Sequence, residues 1–174
     1  MRVSGLPVSS MRRAAQRLVQ KGLLLKLGKE LYANAFFPPS LEEVAGVLYP
    51  PSYISLESAL HIHGIIEQAP HMVTCVSSNK TKTFRTALGE IAYSHVKKEL
   101  FFGYEIKNRY PLAQPEKAAL DYVYIQRRNG SVPALDEWDL KDLNLKKVRE
   151  WAGAYPKTVA LHIGKFVRFR NIRK

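Results

Sequence analysis

The spacing of apolar and polar positions changes along this chain, and each change marks an element. From residue 11 to residue 21, Met11, Ala15 and Leu18 gather on one side of a 3.6-residue wheel, with Ala14 and Val19 at its margin. Arg13, Gln16, Arg17 and Gln20 share an arc of about 100° opposite. The pattern predicts a helix over 11–21, opened by Ser9 or Ser10 as the capping acceptor and closed by Gly22 in a left-handed conformation. Two short apolar runs, "LLLKL" and "LYAN", flank a "GKE" turn and predict a hairpin over 23–34.

"FFPPSLEEV" then interrupts the pattern, and Ser40 with Glu43 has capping-box spacing for a new helix. This places a boundary between a front segment, 1–37, and a main body, 38–174. In "SLESALHIHG", Leu56, Ala59, Leu60 and His63 share a helical side that stops at Gly64. "HMVTCVSS", "KTFRTA" and "EIAYSHV" are rich in β-branched and aromatic residues and predict three strands in an antiparallel meander. In "AQPEKAALDYVYIQRR", Pro115 suits the first helical position and Glu116 the positive helix end, with Ala119, Leu120, Val123 and Tyr124 as an inward stripe. On this reading helix initiation alone accounts for the Pro-Glu-Lys. "NGSVP" ends that helix, and "LNLKKVREWAGAYP" and "KTVALHIGKFVRFR" supply two more. The class is α+β: a partial N-terminal winged helix-turn-helix, made of recognition helix plus wing, then a mixed domain with a small antiparallel sheet covered by helices.

Composition adds a partner class. The 174 residues carry 27 Lys and Arg against 15 Asp and Glu, a net charge of +12 with pI about 9.9. Such a balance favours a polyanion, with nucleic acid first. The excess sits at the ends, +6 over residues 1–34 and +5 over residues 165–174. The single cysteine, Cys75, rules out an internal disulfide framework. No apolar run approaches the roughly 20 residues of a membrane span, and "MRVSGLPVSS" lacks the apolar core of a signal peptide, so the expected compartment is the cytoplasm.

Charge and pattern coincide in the front segment. Arg and Gln present paired donors and acceptors that match guanine and adenine edges in the major groove, and lysines on a wing meet phosphates. The candidate DNA-binding residues are Ser9, Ser10, Arg12, Arg13, Gln16, Arg17, Gln20, Lys21, Lys26 and Lys29. A complete winged helix has two further helices before the reading helix, where this sequence has "MRVSGLP". DNA affinity is therefore expected to be weak and steeply salt-dependent. The apolar side of the helix, lacking that cover, is expected to find it on the body or on a second copy, as a homodimer.

At this point the sequence resembles the AbiEi-like antitoxins and transcriptional regulators of bacterial type IV toxin/antitoxin (abortive infection) systems. The likeness lies in "YISLESALHIHGII", "LGEIAYSHVKKELFFGY" and "AQPEKAALDYVY", which with the wing span most of residues 9–124, and it fades after Arg128. It departs where the upstream helices are missing and at Glu30, where the family's wings more often carry glycine. The resemblance implies an antitoxin that represses its own operon through operator DNA and counteracts a nucleotidyltransferase-like toxin, without need of a stable complex. A stand-alone DNA-binding regulator is the alternative. A basic patch of Lys80, Lys82, Arg85, Lys97 and Lys98 beside the turns of the sheet is the candidate contact to RNA or to the toxin's substrate.

Signals for catalysis are sparse. His61 and His63 are two apart on a predicted helix and point to different faces, so they do not chelate one metal. Cys75 suits a buried strand position better than a nucleophile. Ser77 and Lys80 have a Ser-x-x-Lys spacing but fall at a strand end, which reads as a turn. Glu105 and Lys107 in "YEIKN" have the Glu-x-Lys half of a nuclease site, with no aspartate ahead of Asp121 to complete it. No glycine-rich phosphate loop occurs. The reading is a non-enzyme, with no metal site and no cofactor.

Overall fold

A computed structural model describes residues 7–133, 135–141 and 143–171, with side chains through Lys165. Helix α1 (Val8–Gln20) opens the described chain and begins three residues earlier than its periodicity predicts. Pro7, not a serine, sits at the N-cap, and no side chain caps the first turn. Its preset φ needs no help from a hydroxyl, and its carbonyl accepts from Ser10 and Met11 N–H at 2.9 and 3.1 Å. The other end follows the prediction. Gly22 has φ +70°, Leu23 N–H reaches Leu18 O and Gly22 N–H reaches Val19 O, both at 2.9 Å, which is a Schellman closure.

The hairpin pairs β1 (Leu24–Lys26) with β2 (Tyr32–Asn34) in antiparallel register, Leu25 opposite Ala33. Leu27 and Ala33 belong to the same core as the body, so that core runs across the boundary expected near residue 37. Helix α2 (Leu41–Leu48) starts with the capping box: Glu43 N–H donates to Ser40 Oγ at 3.2 Å, and Ser40 N–H to the Glu43 carboxylate at 3.0 Å.

The body is built on six strands: β3 (Ser52–Ile54), β4 (Val73–Ser77), β5 (Lys82–Thr86), β6 (Gly89–His95), β7 (Tyr104–Lys107) and β8 (Tyr110–Ala113), in the order β5-β6-β4-β3-β8-β7. This corrects the meander. β5 and β6 are antiparallel as expected, but β6 returns alongside β4 in parallel, with Cys75 opposite Tyr93, and β5 becomes an edge. The cause is burial. β4 is buried at four of five positions and needs a neighbour on each side, whereas β5 carries exposed Lys82, Thr83 and Arg85, suited to an edge. β3, too short to stand out as a strand in sequence, is central and buried at every position, antiparallel to β4 and parallel to β8. The sheet is mixed and larger than predicted.

Register shows what covers each face. Ile54, Cys75 and Tyr93 lie in one row across β3, β4 and β6, and Tyr93 O–H donates to Ala45 O of α2 at 2.8 Å. Tyr53, the neighbour of Ile54, points to the opposite face, toward α4 (Pro115–Arg128). There α3 (Leu56–Ile62), α4, α5 (Leu145–Ala152) and α6 (Lys157–Asn171) pack together. No helix among the described residues is long and apolar enough to cross a membrane.

Candidate nucleic-acid interface

Helix α1 has 13 residues and buries none of them. Its contact is with β1, made by the apolar side, where Met11, Ala14, Ala15 and Val19 are half-buried while Leu18 and Leu23 remain 38% and 40% exposed. The opposite side brings together five of the predicted residues: Ser10, Arg13, Gln16, Arg17 and Gln20 line one shallow open depression. Three amides or hydroxyls alternate there with two guanidiniums, and no carboxylate shares the surface. Bidentate donors spaced along an exposed helix are the equipment for reading base edges.

The remaining front residues divide. Ser9 is exposed in the first turn and makes no cap. Arg12 is turned to the hairpin, where its guanidinium pairs with Glu30 and holds that carboxyl below the usual carboxylate range. The glutamate at the turn therefore acts as a strut between hairpin and helix, and Arg12 is turned away from the face that carries Arg13 and Arg17. Lys21 ends the helix exposed, Lys26 is exposed on β1, and Lys29 is exposed at the hairpin turn.

The basic residues of the body have different partners. Lys82 lies over the Phe84 ring at 4.6 Å, Arg85 is paired with Glu90 at 2.7 Å, and Lys97 and Lys98 flank the start of a 3₁₀ turn, Lys98–Leu100. Lys80 lines a cleft with Ser78, Asn79, Thr81, His95 and Arg128. The sequence signal for Arg128 was the "RRN" at the end of α4, passed over as a helix terminus.

The Pro-Glu-Lys segment does more than start a helix. Pro115 does occupy the first turn, but Lys117 and Asp121 are fully buried and paired. Asp121 accepts from four donors: Lys117 Nζ and Tyr155 O–H, the latter at 2.7 Å, on Oδ1, and Tyr53 O–H and Ser55 O–H, each at 2.9 Å, on Oδ2. That fills the four lone-pair positions of a carboxylate. Lys117 also contacts the Tyr155 hydroxyl and lies 4.9 Å from the Phe102 ring centre. Burial lowers the affinity of Lys117 for its proton, and burial beside Asp121 pushes Tyr53 and Tyr155 far above the ordinary phenol. Gly103 roofs this cluster with φ +72°, and a Cβ there would meet Trp151 at 2.9 Å and Lys117 Cδ at 3.1 Å. A saturated, closed network of this kind joins β3, α4 and the turn before α6. Its chemistry is structural.

Other candidates resolve simply. His61 and His63 are bonded to different backbone carbonyls, of Ile66 and Ala113. Cys75 is buried, and desolvation raises its thiol well above the usual value. Ser77 ends β4; its O–H donates to Pro51 O at 2.7 Å and its Oγ accepts from Asn79 N–H at 3.0 Å in the turn that follows. Glu105 and Lys107 are both exposed on β7, and the described residues contain no group of three His, Cys, Asp or Glu able to hold a metal. Compared with known proteins, the chain matches no family model and no curated protein.

Proposed function

We propose that this chain is an antitoxin and transcriptional autorepressor of a type IV toxin/antitoxin system. In this reading α1 and its hairpin contact operator DNA, and the body counteracts a nucleotidyltransferase-like toxin in the cytoplasm. The carrying observation is the α1 face, where Ser10, Arg13, Gln16, Arg17 and Gln20 are grouped on a helix that gives no residue to the core. The antitoxin half rests on the resemblance. Two of its motifs, "YISLESALHIHGII" and "AQPEKAALDYVY", meet at Asp121 through Tyr53, Ser55 and Lys117. Their unusual residues thus serve one scaffold, consistent with a body that acts by binding. The apolar side left open at Val8, Leu18 and Leu23 is the surface for a second copy of the chain.

A stand-alone regulator without a toxin draws on the same helix face, and one experiment separates the two. Co-expression with the neighbouring nucleotidyltransferase-like gene should relieve growth arrest, and a toxin unaffected by this chain leaves only the regulator. A mobility-shift titration with the upstream region of its own operon should show binding that weakens steeply with salt and disappears in Arg13→Glu/Arg17→Glu. Unchanged binding by that variant ends the assignment of α1.

A further inference from the structure

On the body, away from α1, two clefts meet at Arg128. One lies against the β4–β5 turn and is lined by Ser78, Asn79, Lys80, Thr81 and His95 with Arg128. The other lies against the end of α4 and the start of α6, where Tyr124, Arg127, Ser131 and Thr158 join Arg128, with Val132 and Pro156 as apolar wall. Lys80, Arg127 and Arg128 are the permanent cations among the described residues that line the two clefts, and no described carboxylate lines either one.

Arg128 is fixed where they join. Its Nη1 donates to His95 O at 2.6 Å, and its guanidinium lies 5.8 Å from the Tyr124 ring centre. A guanidinium held from behind by a carbonyl and a ring keeps its other donors in a set plane, the arrangement that suits phosphate oxygens. The pocket around it is braced. His95 Nδ1 lies 2.9 Å from Asn79 O, and His95 N–H donates to Thr81 Oγ1 at 3.1 Å, which leaves the Thr81 hydroxyl proton free to donate onward. Lys80 and Arg127 make no side-chain bond among the described residues and bring loose positive charge to either side.

Shape selects among phosphate ligands. A duplex offers its phosphates on a convex cylinder, which an exposed helix meets better than a pair of recesses does. A single strand is thin enough to lay successive phosphates into two adjoining clefts and a base against an apolar wall. We propose that the paired clefts about Arg128 bind the sugar-phosphate backbone of single-stranded nucleic acid, independently of α1.

The test is fluorescence anisotropy of the full chain with a labelled single-stranded oligonucleotide, as RNA and as DNA, across a range of salt. Three cations neutralising a single strand give a slope of log affinity against log salt of about −2. Lys80→Glu/Arg127→Glu should weaken binding at least ~10-fold and reduce the slope to about −0.7, the value for one remaining contact. Arg13→Glu/Arg17→Glu should leave the single strand bound while it removes duplex binding, so that failure here is distinct from failure of the operator assignment. Wild-type affinity in Lys80→Glu/Arg127→Glu overturns the proposal, as does loss of the single strand with the α1 variant. Displacement by inorganic phosphate at the oligonucleotide's own concentration also overturns it, by reducing the clefts to a site for a free anion.

Discussion

Helices α1 and α4 are nearly equal in length, 13 and 14 residues, and both are rich in charge. α4 buries eight positions, including Glu116, Lys117 and Asp121, whereas α1 buries none. The difference lies in what each charge meets. In α4, Lys117 and Asp121 are four apart and find each other, two tyrosines and a serine, while Glu116 accepts from Asn144 N–H at 3.0 Å and lies 3.5 Å from Lys147 Nζ. In α1, Arg13 and Arg17 are also four apart but carry the same sign, and they face outward beside Gln16 and Gln20. Buried charge here ties elements together; exposed charge on α1 is left to solvent or to the operator DNA proposed for it.

The comparison can be broken first at its costliest point. Asp121→Ala strips the counter-charge from Lys117 and should destabilise the fold by about 3–5 kcal/mol, measured by urea unfolding. Lys117→Met/Asp121→Leu should cost less than either single change, because no lone charge remains buried. Equal losses from the single and double variants would mean that packing, not charge, holds the site.

Next in size is an alkaline loss of stability. Tyr53, Tyr93 and Tyr155 have folded-state pKa values raised above the ordinary phenol, chiefly by burial, so their contribution is present below about pH 10. Above it the unfolded chain sheds these protons and the folded one keeps them. Stability should fall as pH rises, by up to about 1.4 kcal/mol per unit for each tyrosine. Lys117 runs the other way: its folded pKa is lowered, so its burial penalty fades as pH rises toward about 10.4 and adds no slope beyond. Tyr93→Phe should make the alkaline slope shallower in a pH series of thermal unfolding.

A smaller contrast separates the two helix starts. Ser40→Ala removes the cap of α2 and should cost about 1 kcal/mol, whereas Ser9→Ala and Ser10→Ala remove no cap bond and should leave the midpoint unmoved. Smallest of all is the effect at the proposed reading face. Arg13→Ala, Gln16→Ala and Arg17→Ala should each shift stability by less than about 0.5 kcal/mol while DNA affinity drops. A large stability loss there would place these residues in the fold rather than at an interface.

Local rules made part of this legible in sequence. The helix–hairpin front, the Gly22 stop, the Ser40–Glu43 cap, Pro115 at the start of α4 and buried Cys75 all follow from residues near one another in the chain. What failed depends on distance. Alternation identifies β4, β5 and β6 as strands, but β4 pairs with β6 because of burial decided by the whole sheet. Lys117 reads as part of a helix start, although its spacing of four from Asp121 is a signal available for an internal pair. Tyr53, Ser55 and Tyr155, which complete the set, lie 68, 66 and 34 residues away from Asp121 and give no local sign of it. Arg128 escaped for the same reason, since His95 is 33 residues distant.

Those separations also set a timetable for folding. Asp121 takes one donor from β3, Tyr53, and one from Ser55 just after that strand, both made long before Asp121 on the ribosome, and another from Tyr155, made after it. Until Tyr155 has emerged and docked, the carboxylate and Lys117 each lack one of their bonds. The central strand waits as well, because β3 gains its second neighbour only when Leu112 comes alongside Ile54. Non-local closure of this sort slows folding and ties the halves of the sheet into one cooperative event. A nascent chain stopped short of Tyr155 would already hold all six strands, with Lys117 and Asp121 lacking the Tyr155 hydroxyl. The segment that carries Tyr155 is thus the last part of the network to be made.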